Sequence, residues 1–323
     1  MSNEIVSKQQ NQRPCVLFFG MQGNFSSLSL QALLESNIDV CAVVLPASPV
    51  PGLDPPAIQR REQPRAMRSA LPLLSTSLHP SIAQISWKHQ IPVWEVHRLS
   101  DATTLSTLAA YQPDILCVAC FSQRISRVII DLPRLGCLNV HPSLLPVNRG
   151  PVPLFWTFRE GSMTTGVTIH FLNEKMDTGD ILAQQSIDVP DGITYTQLEV
   201  QCAQFGGTLL ARTVWNLYQD HVSRTPQDET KSSYHSFPTD QDFVVHAKEW
   251  DARHIYNFIR GVGHWDAPIK LHANNTSLLI RDAISYSLKD IDDRFNQMVH
   301  VTDNELNVQC KIGWVTVLLQ DWE

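Results

Sequence analysis

The centre of this chain reads Leu135-Gly136-Cys137-Leu138-Asn139-Val140-His141-Pro142-Ser143-Leu144-Leu145-Pro146. Its side chains alternate as they do in a short strand, which sends Asn139 and His141 to one face. Pro142 cannot donate a backbone hydrogen bond, so we expect the strand to end at His141. Ligands of open α/β sheets bind at the carboxyl ends of strands, so these two polar side chains mark a candidate site.

The residues before this strand alternate between apolar runs and helical patterns. Residues 15–20 and 39–45 are continuous apolar runs, typical of strands buried on both faces of a parallel sheet, and 26–36 has helical leucine spacing. Strands at 92–96 and 114–121 continue the rhythm. The pattern predicts an α/β fold, a Rossmann-like domain with a mostly parallel sheet. The turn at 20–25 lacks the G-x-G-x-x-G spacing, which disfavours a dinucleotide cofactor.

The second half of the chain predicts a further, smaller domain. Strands at 166–172 and 181–189 suggest an antiparallel pair at the far edge of the sheet, followed by a helix at 195–220. Short strand patterns separated by Asn, Asp and Gly turns then predict a small, OB-like β-barrel, with strands at 269–272, 277–280, 297–301, 305–308 and 314–319. The predicted domains are a flexible tail (1–13), a catalytic domain (14–224), a linker (225–239) and the barrel (240–323).

Composition narrows the functional classes. The first residues lack the apolar core of a signal peptide, and no apolar run reaches the roughly 20 residues of a membrane-spanning helix, so we expect a cytoplasmic protein without a membrane partner. The net charge of −7 does not indicate nucleic-acid binding, although a local basic patch is compatible with it. Seven cysteines at irregular spacing fit reduced thiols, and burial is the favoured role for the pair Cys117 and Cys120. Oligomeric state stays open.

The polar residues of the central motif could stabilise a developing negative charge and move a proton. An Asn amide donates hydrogen bonds to a developing oxyanion, and a neighbouring His stabilises charge or moves a proton near neutral pH. Either Asp177 or Asp180, from a glycine-containing turn, would complete the set by orienting His141. The structural alternative is that Asn139 caps a loop while the histidine is a surface residue and the acids shape a turn.

Two other chemistries fit the same residues less well. Zinc ligation by His141, His170 and an Asp lacks a recognised ligand spacing, so we expect no metal. A serine hydrolase built on Ser143 lacks the G-x-S-x-G elbow.

Several motifs in order resemble the 10-formyltetrahydrofolate-dependent formyltransferase family. They are Asn139-x-His141 with Pro142 to Pro146, Arg149-Gly150, Thr165 to Ile169, and Asp177-Thr178-Gly179-Asp180. The resemblance implies that Asn139, His141 and Asp177 form the catalytic trio, and it favours Asp177 over Asp180. The tail resembles the C-terminal barrel of the family's methionyl-tRNA formyltransferases, notably at 252–260 and 301–320.

The resemblance also implies a co-substrate, 10-formyltetrahydrofolate, held largely through backbone groups. Its expected contacts lie in two segments, which comprise Phe121, Gln123, Arg124, Ile125, Asn173, Glu174, Lys175 and Met176.

The acceptor implied by the resemblance is a primary amine, foremost the amino group of initiator methionyl-tRNA. Departures from those enzymes include Met21-Gln22-Gly23-Asn24 where a Thr-Pro pair is usual, and a proline-rich segment at 46–80 in place of a basic loop. That segment is either a solvated loop or an acceptor contact through its four arginines, Arg60, Arg61, Arg65 and Arg68. An amino sugar or another small amine is the alternative acceptor. Hydrolysis of the donor, or an inactive folate-binding scaffold, is the alternative of another class.

Overall fold

The computed structural model describes residues 13–48, 52, 54–64, 80–274, 276–289 and 298–320. Its backbone contacts divide the chain into two compact units. The first unit comprises residues 1–146, 167–185 and 200–231, and the second comprises 147–166, 186–199 and 232–323. The expected flexible tail at 1–13 falls almost entirely outside the described residues.

Apart from a short strand at residues 58–60, the regular elements of the first part of the chain follow one another in the order that the sequence patterns predict. From the start of the chain to the long helix they are β1 (Cys15–Gly20), α1 (Asn24–Glu35), β2 (Asp39–Pro46), β3 (Ile58–Arg60), α2 (Ile82–Lys88), β4 (Val93–Val96), α3 (Ala102–Ala109), β5 (Ile115–Ala119), α4 (Arg127–Ile130), β6 (Gly136–His141), α5 (Pro153–Arg159), β7 (Thr164–Phe171), β8 (Ile181–Asp188) and α6 (Tyr195–Tyr218).

The larger sheet has eight strands in the order β3-β4-β2-β1-β5-β6-β7-β8. Strand β1 pairs in parallel with β2 and β5, and β5 pairs in parallel with β6. The direction changes at β7, which runs antiparallel to β6. This arrangement confirms the predicted Rossmann-like, mostly parallel sheet, with β7 and β8 at one edge.

The core of the first unit explains why its central strands read as unbroken apolar runs. Alternate residues of β1, Leu17 and Phe19, pack with Leu116 and Val118 of β5 in one buried cluster. The intervening residue Phe18 is equally buried because helices cover both faces of a parallel sheet. The central strand β6 thus emerges from a packed layer that fixes its position.

Two expectations for the first unit were wrong. The proline-rich segment contains an edge strand, β3, which pairs antiparallel with β4, so that part of it is not merely a solvated loop. Cys120 is exposed at the end of β5 with a backbone φ of 56°, whereas Cys117 is buried as expected.

The second unit contains α5 and a six-stranded sheet in the order β12-β13-β14-β11-β10-β9. Its remaining elements are β9 (Val244–His246), α7 (Ala252–Val262), β10 (Ile269–Ala273), β11 (Thr276–Ser287), β12 (Met298–His300), β13 (Glu305–Gln309) and β14 (Trp314–Leu319). Phe155 of α5 is the centre of an aromatic cluster, with ring centroids 5.2 Å from Phe243 and Trp265 and 6.0 Å from Phe258. The predicted separate, strand-rich C-terminal part is therefore present.

In the described part of the chain, none of the helices has the length and apolar character needed to cross a membrane.

Candidate active site

Strand β6 places Asn139 and His141, the two polar residues of the central motif, on one face of the sheet. In its pairing with β7, Asn139 lies opposite His170 and His141 lies opposite Thr168. Residues directly opposite each other on neighbouring strands point to the same face, so all four side chains share one side of the sheet. The alternation in the sequence predicted the first pair, and the strand register adds the second.

His170 holds the amide of Asn139 in one orientation. Its Nδ1 lies 2.8 Å from the backbone oxygen of Phe171, which can only accept, so Nδ1 carries the hydrogen. The other nitrogen, Nε2, then accepts a hydrogen bond from Asn139 Nδ2 at 3.1 Å. Because Nδ2 has two hydrogens, this contact leaves it one N–H with which to donate to a substrate oxygen.

Asp177 places its carboxylate between two imidazoles. Its Oδ1 lies 3.7 Å from Nδ1 of His141 and 3.7 Å from Nε2 of His170. These separations are too long for direct hydrogen bonds. The relative exposures of His141, His170 and Asp177 are 4%, 0% and 8%, so all three side chains are buried.

The turn that carries Asp177 has an unusual backbone. Asp177 has a φ of 55°, a left-handed conformation that Asp and Asn adopt more readily than most residues. Gly179 approaches β7 so closely that a Cβ there would lie 1.8 Å from the backbone oxygen of Phe171. The side chain of Asn173 accepts hydrogen bonds from Lys175 N and Thr178 Oγ1, which closes the first half of the turn.

Asp177 and Asp180 differ in what the structure places beside them. Asp177 lies at ion-pair distance from His141. The backbone oxygen of Asp180 accepts a hydrogen bond from Phe171 N, which ties the end of the turn to β7. The arrangement of the turn thus agrees with the assignment that the resemblance favoured, while the roles of both residues stay predictions.

The loop after His141 is fixed by a network that the sequence did not reveal. Thr168 Oγ1 donates to the backbone oxygen of Ser143 at 2.6 Å and accepts from Leu145 N at 3.1 Å. Gln184 Nε2 donates to both Leu145 O and Thr168 Oγ1. Ser143 is itself buried, at 2% exposure, which does not suit the nucleophile of a hydrolase.

The two segments expected to contact folate meet in the structure. Arg124 Nη2 donates to the backbone oxygen of Glu174 at 3.4 Å, which joins the segment after β5 to the turn after β7. Gln123 Nε2 donates to Val96 O, and the ring of Phe121 lies 5.1 Å from that of Phe19. Ile125 packs partly buried against the core.

The turn presents the remaining expected folate contacts to solvent. Four consecutive residues are exposed, namely Asn173, Glu174, Lys175 and Met176.

Within the described ranges, no group of three or more His, Cys, Asp and Glu side chains is arranged to hold a metal ion.

The sequence interpretation considered His170 only as a zinc ligand and missed its contact with Asn139. Strand alternation in 166–172 was a usable signal, because it assigns His170 to a definite face. The pairing register with β6, which brings it opposite Asn139, was not readable from a single chain. Thr168 lies in the motif Thr165 to Ile169, but nothing in that motif indicated its contacts with the loop after His141, and Gln184 gave no motif signal.

Together the site residues suit transfer of a one-carbon acyl group. An amide N–H and an imidazole on one face can stabilise a tetrahedral oxyanion. The fold is that of an α/β protein with its candidate site at the carboxyl end of a central strand.

Comparisons with known proteins agree with this class. Residues 13–214 match the formyl transferase family. The methionyl-tRNA formyltransferase of Syntrophus aciditrophicus is 30% identical over 306 residues, which cover 95% of this chain and 90% of that protein. The methionyl-tRNA formyltransferase of Synechococcus sp. strain JA-3-3Ab is 34% identical over 248 residues, covering 76% of this chain and 70% of that protein.

A solved structure shows the same fold at lower sequence identity. The N-formyltransferase of Helicobacter canadensis, in complex with folinic acid and dTDP-3-aminofucose, superposes with a TM-score of 0.65 and 17% identity, covering 94% of this chain and 99% of that one. The chain belongs to the formyl transferase family. It is a formyltransferase, which moves a formyl group from a formyl-folate donor to an amine.

Proposed function

We propose that this enzyme transfers the formyl group of 10-formyltetrahydrofolate to the amino group of methionyl-tRNA in the cytoplasm. The observation that supports the chemistry is that Asn139 and His141 share one face of the sheet, with the buried carboxylate of Asp177 3.7 Å from His141. The observation that supports the acceptor is the similarity, over 95% of the chain, to a methionyl-tRNA formyltransferase.

In the proposed reaction the amine nitrogen attacks the formyl carbon, forming a C–N bond and a tetrahedral oxyanion. Asn139 Nδ2 and the imidazole of His141 donate hydrogen bonds to that oxyanion. The bond from the formyl carbon to N10 of the folate then breaks, and the proton lost by the attacking nitrogen passes to N10. Asp177 orients His141 and accepts the proton on its way.

The donor is proposed to lie against the two segments that Arg124 joins. Backbone groups of 121–125 and of the exposed turn 173–176 would bind the pterin ring, so single alanine substitutions in either segment should weaken binding only modestly. The nearby site residues would then hold the formyl carbon within reach of Asn139 and His141.

A small amine, such as an amino sugar, is the second candidate acceptor. The observation in its favour is that both described arginines of the proline-rich segment pair with carboxylates, Arg60 with Glu62 at 3.5 Å and Arg61 with Glu95 at 2.8 Å. Arginines engaged in this way are less available to phosphates. Arg65 and Arg68 lie outside the described residues.

An acceptor screen tests the proposal. Purified protein is incubated with 10-formyltetrahydrofolate and either initiator methionyl-tRNA, an amino sugar nucleotide or no acceptor, and consumption of the donor is followed. We expect turnover with methionyl-tRNA and a loss of about 10²–10³ in kcat for Asn139→Ala and for His141→Ala. Turnover without an acceptor would instead identify a hydrolase, and donor binding without turnover an inactive scaffold.

A further inference from the structure

Residues 225–227 run beside the turn that carries Asp177, within the same compact unit. Thr225 and Ile181 exchange two backbone hydrogen bonds, each 2.9 Å long, in an isolated antiparallel bridge. The bridge fixes this short segment against the first residue of β8. It therefore sets where the side chain two positions further along, Gln227, reaches the turn.

The amide of Gln227 clamps the turn from outside. Its Nε2 donates to the backbone oxygens of Asp177 and Gly179, both at 2.8 Å. These two carbonyls flank Thr178, so one amide nitrogen donates both of its hydrogens to the backbone that carries the buried carboxylate. A side chain that only accepts hydrogen bonds could not make either contact.

The backbone conformation of Asp177 gives such a restraint a role. Its left-handed backbone persists only where surrounding contacts enforce it. The first half of the turn is closed by Asn173, whose side chain binds Lys175 N and Thr178 Oγ1. The hydrogen bonds of Gln227 act on the second half, where the carboxylate must stay 3.7 Å from His141.

We propose that Gln227 is a positioning residue for formyl transfer, which holds the carboxylate of Asp177 beside His141. This inference rests on the proposed function, because it assumes that Asp177 acts in the reaction. Gln227 itself touches neither substrate nor reacting atoms. Its effect passes through the backbone of Asp177 and Gly179.

The test compares two variants with a matched control. Gln227→Glu keeps the shape of the side chain but turns an acceptor toward two carbonyl oxygens, and Gln227→Ala removes the contact altogether. The control is Asp228→Asn, the reverse isosteric exchange at the next residue, whose carboxylate bonds within its own turn to Thr230 and Lys231. An Asn there can still accept from Thr230.

We expect Gln227→Glu to lower kcat by about 10-fold to 100-fold, since misplacing a catalytic group by about 1 Å costs up to about 10²-fold. KM for the formyl-folate donor should change less than about threefold, because the half of the turn closed by Asn173 keeps its hydrogen bonds. Asp228→Asn should match the wild type in both constants.

A double-mutant cycle separates positioning from general support of the fold. In an Asp177→Asn background, Gln227→Glu should lower kcat by less than about twofold, because the carboxylate that it positions is already gone. A full multiplicative loss, or a wild-type kcat in both Gln227 variants, would overturn the proposal. If Gln227→Glu does not fold, Gln227→Ala carries the same cycle.

Hydrogen exchange tests the restraint by Gln227 separately from the proposed function, because it needs no enzymatic activity. Backbone amides in 173–181 should exchange faster in both Gln227 variants than in Asp228→Asn, whether or not any acceptor is formylated. A wild-type protein that transfers no formyl group would refute the proposed function, and the restraint by Gln227 would then be judged by exchange alone. Unchanged exchange would refute the restraint even in an active enzyme.

Discussion

At the scale of single residues, the imidazole of His170 determines which atom of Asn139 faces a substrate. An Asn side chain has one accepting and one donating end, and only the donating end stabilises an oxyanion. With Nδ1 bound to Phe171 O, the Nε2 of His170 accepts from Asn139 Nδ2 and so fixes the amide. Without that partner, the amide could rotate and present its oxygen.

Removing the acceptor at His170 should therefore reduce activity without removing a catalytic group. We expect His170→Leu to lower kcat by about 10-fold to 100-fold, less than the loss of about 10²–10³ for deleting an oxyanion donor. His170→Gln keeps an oxygen that can accept from Asn139 and should retain more activity than the Leu variant. Equal activities of the wild type and His170→Leu in steady-state kinetics would contradict this role.

The two acids of the turn should also separate in kinetics. Asp177→Asn removes the charge that lies 3.7 Å from His141, and we expect kcat to fall by about 10²-fold or more. Asp180→Asn keeps the backbone oxygen that binds Phe171 N, so its kcat should stay within a few-fold of the wild type. Measuring both variants with the same donor and acceptor checks the order, and the reverse ranking would reassign the acid.

At the scale of elements, the strands that could be predicted are those whose own residues carry the signal. β6 alternates and ends at a proline, and β1 and β5 are continuous apolar runs. β3 and β9 have three residues each and were missed, because pairing with β4 and with β10 makes them strands.

The site residues likewise fall into those that a sequence motif indicates and those that only the folded structure brings together. The trio of Asn139, His141 and Asp177 lies in motifs, so sequence and family resemblance indicated it before any coordinates. The contacts of His170 and Gln227 join residues 31 and 50 positions apart. Such contacts depend on strand register and on the path of a linker, neither of which a single sequence encodes in a recognisable pattern.

The hydrogen bonds of Asp191 within the second unit should make the stability of the protein depend on pH. Burial acts to raise the pKa of Asp191, but hydrogen bonds from Arg253, Asn257 and Tyr286 outweigh it and lower the pKa below its usual range. A carboxylate with a lowered folded-state pKa stabilises the fold above its unfolded pKa, about 3.9, and loses that contribution as pH falls through the folded value.

Asp191→Asn should thus destabilise the protein by about 1–2 kcal/mol at pH 7. The difference in stability from the wild type should shrink as pH falls below about 4, because the wild-type carboxyl is then protonated and neutral, as the Asn amide is at every pH. Thermal unfolding of both proteins at pH 7 and at pH 3 measures the two differences. A difference that grows toward pH 3 would show that the carboxylate is not stabilised in the folded state.

At the scale of the whole molecule, net charge limits how a polyanionic acceptor can bind. A chain of net charge −7 repels nucleic acid on average, so binding of tRNA requires a local concentration of cations. The described arginines of the proline-rich segment form ion pairs, an exposed one between Arg60 and Glu62 and a half-buried one between Arg61 and Glu95. An exposed pair contributes only about 0–1 kcal/mol, so a phosphate can displace Glu62 from Arg60 at little cost, whereas Arg61 is less available.

Salt dependence then distinguishes the two acceptors. If methionyl-tRNA is bound through this segment, log affinity should fall linearly with log salt, by about 0.9 per duplex phosphate or about 0.7 per single-strand phosphate neutralised. Replacing Arg60 and Arg61 together by Gln should flatten that slope by about one to two units. The control replaces Arg127 and Arg134 by Gln. These two exposed arginines also pair with carboxylates, and their replacement changes the net charge by the same amount as that of Arg60 and Arg61. If both double replacements flatten the slope equally, the effect is one of overall charge and not of this segment. Salt-independent transfer to a small amine, without measurable binding of initiator methionyl-tRNA, would exclude tRNA as the acceptor.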